Sequence, residues 1–248
     1  MTSLLVPAGL RPWVAGIDVA TAEEAAEEAA EDSAESPAES PAEGRPVADV
    51  PDHATTLLLR TDERALVFMG PRTRAAYHLA PPGRSCVRIR MRPGRAQALL
   101  GRPVSGLADR VLPLGELPGL DLDLLAADPV AALGAALADR PEPSRRLDEA
   151  ARLLAGSTIG ETASRLGIGE RRLHVLFTDG TGLSPKHFAR IERVRAVLAA
   201  GTGRWADIAA SAGYYDQSHM TGEFRRFMGV PPAAFAAGAR PAATPCTA

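Results

Sequence analysis

Gly213-Tyr-Tyr-Asp-Gln-Ser-His-Met-Thr-Gly-Glu-Phe-Arg-Arg-Phe-Met-Gly-Val-Pro-Pro232 is the stretch on which the reading of this chain turns. Just ahead of it, Trp205, Ile208, Ala209 and Ala212 stand at helical spacing, which predicts a short helix with one buried face. Gly213 breaks that helix, and Asp216 is placed to cap a second one. Met220, Phe224 and Phe227 recur at i, i+4 and i+7, giving the second helix a buried stripe. Gln217, Ser218, His219, Thr221, Arg225 and Arg226 are left outside, and Gly229 with Pro231-Pro232 ends the segment. Two short helices joined by a glycine-containing turn, the second offering hydrogen-bonding and basic side chains, make the pattern of a helix-turn-helix. A helical hairpin that merely packs would show the same stripe.

The pattern occurs twice. From Thr158, Ile159, Ala163 and Leu166 mark one helix, Gly167 and Gly169 the turn, and Leu173, Leu176 and Phe177 the buried stripe of another. The exposed positions of that second helix are Glu170, Arg171, Arg172, His174 and Thr178. Between the two units, residues 183–198 predict a helix with Phe188, Ile191, Val194, Val197 and Leu198 inside. Ser184 serves as its cap and Pro185 as its first residue. Lys186, Arg190, Arg193 and Arg195 are expected to reach outward from it.

The segment from about Arg145 to Phe235 resembles the DNA-binding domain of AraC/XylS-type transcription regulators, which carries two helix-turn-helix units bridged by one long helix. The resemblance rests on Ala212-Gly-Tyr-Tyr-Asp-Gln-Ser-His-Met220, followed by Phe224, Gly229 and Pro231, and on Gly182-Leu-Ser-Pro185 with Arg195-Ala196 after it. Two positions depart from the pattern. Gly222 stands where a basic residue is usual, and Val175 where a polar or basic residue often contacts a base.

Charge is divided along the chain. Residues 145–248 carry 14 Arg/Lys against 9 Asp/Glu, a net of +5, and residues 1–144 carry 14 against 21, a net of −7. A basic C-terminal half can gather phosphates, which an acidic N-terminal half would repel. Cys86 and Cys246 are the only cysteines, with no metal-ligand spacing. The five histidines (His53, His78, His174, His187 and His219) form no pair with ligand spacing within one element, so neither a metal nor a cofactor is expected. No nucleophile motif or phosphate-binding glycine loop is present, which argues against an enzyme. No apolar run reaches membrane-spanning length, and a cytoplasmic protein is expected.

The N-terminal half reads as β-rich, for an α+β chain overall: a small β-rich domain followed by an all-α domain with two helix-turn-helix units. Residues 1–20 form a first structured piece, with apolar runs at Leu4–Val6 and Leu10–Ile17 and Trp13 as an anchor. Residues 21–45 are almost wholly Ala, Glu, Ser and Pro, a composition expected to stay disordered. This tract is either an acidic interaction arm or a solvated insert. Residues 46–117 show short β-prone runs: Thr55–Leu59 and Ala65–Met69 as a hairpin about Thr61–Arg64, then Ala75–Leu79, Cys86–Met91 and Val111–Leu114, with a short helix at Arg95–Leu100. Pro51-Asp52 before a strand, Gly70-Pro-Arg-Thr73, and the run Val87–Gly101 leading to Asp109–Leu114 resemble the small N-terminal β-domain of a subgroup of AraC-type regulators. The resemblance implies Leu10–Val14 as the first strand, and it departs where His53 replaces a usual glycine. Residues 118–144 supply a helix and linker whose stripe (Val130, Leu133, Leu137) either packs on the β-domain or pairs with a second copy. Pro141-Glu-Pro143 marks a boundary, residues 145–235 the DNA-binding domain, and residues 236–248 a tail expected to be disordered.

The resemblance implies a sequence-specific transcription regulator on double-stranded DNA, with an N-terminal domain that senses a small-molecule effector or dimerises. RNA polymerase and a second copy of the chain are further partners. Side chains near a recognition helix start reach base edges, so Arg171, His174, Gln217, Ser218 and Thr221 are the expected base readers. Arg172, Lys186, Arg190, Arg225 and Arg226 suit phosphates, which position without specifying. The alternative is an interaction protein or antagonist using a degraded helix-turn-helix, a reading that Gly222 and Val175 motivate.

Overall fold

The computed structural model describes residues 2–21, 45–80, 85–115, 117–140 and 145–245. The acidic tract, apart from its first and last residues, and the Pro141–Pro143 boundary lie outside them, as does Cys246.

Alternation of inward and outward side chains along the strands builds the N-terminal sheet. Strand β4 (Thr56–Arg60) buries Leu57 and Leu59, and β7 (Cys86–Met91) buries Val87, Ile89 and Met91, while Arg88 and Arg90 face the other way. With β1 (Thr2–Leu4), β2 (Val14–Ala20), β5 (Ala65–Met69) and β8 (Val111–Leu114), these strands form an antiparallel sheet in the order β1-β2-β7-β4-β5-β8. Its apolar face packs on helix α1 (Ala96–Leu100) through Leu99, and on α2 (Leu122–Ala127) and α3 (Pro129–Leu137) through Leu125, Leu133 and Leu137. The α3 stripe therefore belongs to the β-domain core. Asp128 separates α2 from α3, and its carboxylate accepts from the backbone of Val130 and Ala131.

The strand expected at Leu10–Val14 is replaced by turns that lie between β1 and β2. The Pro7 carbonyl accepts from the amides of Leu10 and Arg11, and the Leu10 carbonyl from those of Trp13 and Val14. Residues 7–13 are thus coiled into two successive turns, and β2 begins only at Val14. Trp13 is buried as the anchor of that turn.

The C-terminal half is all helix to Ala236: α4 (Arg145–Leu154), α5 (Ile159–Arg165), α6 (Glu170–Thr181), α7 (Pro185–Ala200), α8 (Trp205–Ser211), α9 (Gln217–Met228) and α10 (Pro232–Ala236). One core unites them, centred on Phe177, Ile191, Val194 and Phe224. The tail departs from expectation. Its described part runs back to the N-terminal half, where β9 (Thr244–Pro245) pairs in parallel with β6 (Ala76–Ala80), itself antiparallel to β3 (Arg45–Asp49). Thr244 also donates from its hydroxyl to the Tyr77 carbonyl, 167 residues away in sequence.

Candidate nucleic-acid interface

In the first unit, Thr158 caps α5. Its hydroxyl oxygen accepts from the Glu161 amide, while the Glu161 carboxylate accepts from the Thr158 amide. The Thr158-Ile-Gly-Glu161 spacing carries this capping box in the sequence. Gly167 adopts φ 64°, and the Ile168 amide returns to the Ala163 carbonyl at 3.0 Å, which closes the turn. Helix α6 then starts from Gly169 with no side-chain cap. Leu173 and Phe177 are fully buried, and Arg171, Arg172, His174 and Val175 are exposed.

The second unit repeats this frame with one residue more. Gly213 (φ 76°) matches Gly167, and the Tyr214 amide returns to the Ala209 carbonyl at 2.9 Å. Tyr215 is the additional turn residue, 93% exposed. Asp216 caps α9, accepting from the His219 amide at 2.7 Å. Met220, Phe224 and Phe227 are buried, Gln217, Ser218, Arg225 and Arg226 are exposed, and Thr221 is half-buried at the edge of that face.

The bridging helix α7 begins as the sequence implies, with the Ser184 hydroxyl accepting from the His187 amide. Its cations are a correction. Only Lys186 of the four is exposed. Arg190 donates to Glu223 of α9 at 2.6 Å and lies over the Phe227 ring, and Arg193 reaches the other Glu223 oxygen at 3.1 Å over the Tyr214 ring. Arg195 turns to the β-domain. Glu223 is buried, so this three-membered ion cluster fixes α9 to α7 and engages Arg190 away from any phosphate. Burial pushes the neighbouring Tyr214 phenol above its ordinary pKa.

Residues 162–238 match the family model described as a helix-turn-helix domain. The matched segment, which starts within α5, takes in both helix-turn-helix units and the helix between them. Among solved structures, the chain is similar to the C-terminal domain of AraT, a response regulator from Geobacillus stearothermophilus, with 19% identity, 40% of this chain and 89% of that one covered, and a TM-score of 0.36. It is also similar to an apo variant of ToxT from Vibrio cholerae (10% identity, 78% and 93% covered, TM-score 0.42). Unsaturated fatty acid bound wild-type ToxT gives 10% identity, 79% and 88% covered, and a TM-score of 0.39. No protein of curated function matches the chain.

The β-domain grips the helix-turn-helix domain away from the exposed faces of α6 and α9. His53 stacks on Phe188 of α7 at 4.5 Å and pairs with Glu192 at 2.6 Å, so the residue that replaces a glycine serves as a contact between the halves. The His53 hydrogen bond and charge hold the Glu192 carboxyl below its usual pKa, against the effect of burial. Asp52 joins Arg90 of β7 at 2.6 Å to Arg195 of α7 at 3.4 Å. Burial pushes the Asp52 carboxyl up, but the Arg90 bond and the charges of Arg90 and Arg195 outweigh it and bring the pKa below its usual value.

Backbone donors from the same domain reach the last turns of both recognition helices. The Val104 amide donates to the Asp179 carbonyl of α6 at 3.1 Å, and the Ala75 amide to the Phe227 carbonyl of α9 at 2.8 Å. The Tyr77 hydroxyl donates to the Met228 carbonyl at 2.7 Å. Helix C-termini leave carbonyls without helical partners, and these three donors satisfy one each. Gly182, which ends α6 at φ 77°, is needed for the approach, since a Cβ there would stand 2.8 Å from the Val104 carbonyl oxygen. Sequence reasoning missed this whole junction, and it also missed Tyr215, for which the longer second turn is the available signal. No described helix is long and apolar enough to cross a membrane.

Proposed function

We propose that this chain is a sequence-specific, DNA-binding transcription regulator in which the β-domain acts on the DNA-binding half through direct contacts. The observation that carries this reading is the exposure of Arg171, Arg172 and His174 on α6 and of Gln217, Ser218, Arg225 and Arg226 on α9, polar or basic faces that the β-domain leaves open. An antagonist with a degraded motif would instead be favoured by covered or acidic faces. Arg171, His174, Gln217, Ser218 and Thr221 read base edges, and Arg172, Lys186, Arg225 and Arg226 hold phosphates in two successive major grooves, about 34 Å apart. RNA polymerase, a second copy and a small-molecule effector are the further partners this reading admits. Among the described residues, the interior of the β-domain holds an apolar core that includes Leu57, Phe68, Ile89 and Leu133. Between β4 and α2 lies a cleft of about 230 Å³ beside the Arg64–Asp123 pair.

The test is selection of binding sites from random duplexes with the full chain, followed by titration across a salt series. Sequence-dependent, salt-sensitive binding is expected. Gln217→Ala relaxes base preference at one or two positions, by about 1–3 kcal/mol, with the salt dependence nearly unchanged. Arg226→Ala weakens binding to all sequences alike and lowers the salt slope by about one unit. Failure to enrich any sequence defeats the proposal.

A further inference from the structure

Aligning the two recognition helices on their buried stripes, Leu173 with Met220 and Phe177 with Phe224, pairs Arg171 with Ser218, His174 with Thr221 and Val175 with Gly222. Positions 175 and 222 are thus the same place in two copies, the middle of the outward face. Neither residue there has a hydrogen-bonding side chain. Val175 is 39% exposed although it is β-branched and contributes nothing to the core, whereas its neighbours Arg171, Arg172 and His174 are all polar. The next residue along the face, Thr178, donates its hydroxyl back to the His174 carbonyl at 2.9 Å, which leaves its methyl group for any outward contact. The centre of the α6 face is therefore a small apolar spot ringed by donors. In α9 a Cβ at Gly222 would meet nothing within 4 Å, so the centre of that face is an open notch.

The floor of the major groove offers one apolar feature, the 5-methyl group of thymine. We infer that Val175 reads a thymine methyl group in the half-site bound by the first unit. The second unit, with Gly222 at the matching place, has no such reader. This assignment makes position 175 a specificity determinant and rests on the DNA-binding function proposed above.

Deoxyuridine, which pairs as thymine does but lacks the methyl group, isolates the contact. Each thymine of a selected site is replaced in turn, and binding of the full chain is titrated. Replacement of one thymine in the first unit's half-site weakens binding about fourfold, the factor that corresponds to one buried methyl group at about 0.8 kcal/mol. Val175→Ala, whose thermal unfolding should match the parent because the site is on the surface, loses that sensitivity and binds the thymine and deoxyuridine sites equally. The inference is overturned if no thymine in that half-site shows a methyl effect, or if the effect persists undiminished in Val175→Ala. In either case sequence-dependent binding itself would stand. If no sequence is selected at all, the inference falls together with the function on which it rests.

Discussion

The two helix-turn-helix units share one frame and differ in where they put charge and in how firmly their second helices are held. Helix α6 carries Arg171 and Arg172 in its first turn, against its own dipole and only partly offset by Glu170 beside them, and starts from Gly169 with no side-chain cap. Helix α9 begins with neutral Gln217 and Ser218 behind the Asp216 cap, keeps Arg225 and Arg226 in its last turn where the dipole favours them, and is tied to α7 through Glu223. At the place of Glu223 the first unit has the half-buried Leu176. The comparison teaches that the second unit is arranged for its own stability. The first accepts cations at an unfavourable end, an arrangement that a phosphate or a base edge would relieve.

The largest test of this contrast is Glu223→Ala. It leaves Arg190 and Arg193 without their shared anion and should cost about 3 kcal/mol, the low end for a buried pair because both guanidiniums reach some solvent. Leu176→Ala at the matching place should cost about half as much, since Leu176 is only partly buried. Denaturant unfolding of both variants measures the difference, and equal losses would remove Glu223 from its special role. At the caps, Asp216→Ala should lose about 1 kcal/mol, while Gly169→Ser should gain only a few tenths, as glycine is already tolerated there. Arg171→Gln comes next, with a gain of a few tenths of a kcal/mol in the free protein from relief of the dipole and a loss of DNA affinity. A variant that gains neither stability nor weakness on DNA would leave the first-turn charge without a function.

The smallest expected effect is in the pH dependence. Burial, aided by the charges of Arg190 and Arg226 and opposed by Asp109 and the Thr73 backbone, holds the His187 imidazole below its ordinary pKa. A depressed folded pKa means that the contribution is fully present above the unfolded value of about 6.5 and is lost as the pH falls through it toward the folded value. The melting temperature should therefore decline from pH 7.5 to 5.5, and His187→Gln should reduce that decline, leaving the share of His78, which burial also holds below its ordinary pKa. A parent curve already flat over this range would show that the ring is paired on protonation.

What the sequence made legible was local. The stripes Met220–Phe224–Phe227 and Leu173–Phe177, the caps at Ser184 and Asp216, and the alternation in β7 are all written within a dozen residues, where helical or strand periodicity alone decides which side faces inward. The capping box at Thr158 is equally local, although the reading of the sequence did not name it. The junction was not, because its partners are far apart in the chain. Arg190 finds Glu223 33 residues away, and Arg195 finds the Pro51 carbonyl 144 residues away. An arginine on a helix looks the same in sequence whether it faces solvent or a buried carboxylate, so the outward reading of Arg190, Arg193 and Arg195 had nothing local to contradict it. Likewise the strand expected at Leu10–Val14 gave way to a pair of turns fixed by backbone hydrogen bonds that apolar content does not reveal.

The strap of Thr244–Pro245 on β6 has a consequence for the order in which the molecule is finished. A ribosome adds about 5–20 residues per second, so roughly 10–30 s separate the synthesis of Tyr77 from that of Thr244. By then every strand of the six-stranded sheet and every helix of the C-terminal half has been made. The small sheet β3-β6-β9 must wait with one side of β6 unpaired until the end of this interval. The β6–β9 pairing thus becomes available only after the other described elements have been synthesised, and Tyr77, whose hydroxyl donates to the Met228 carbonyl, spends that interval on a strand with one edge open.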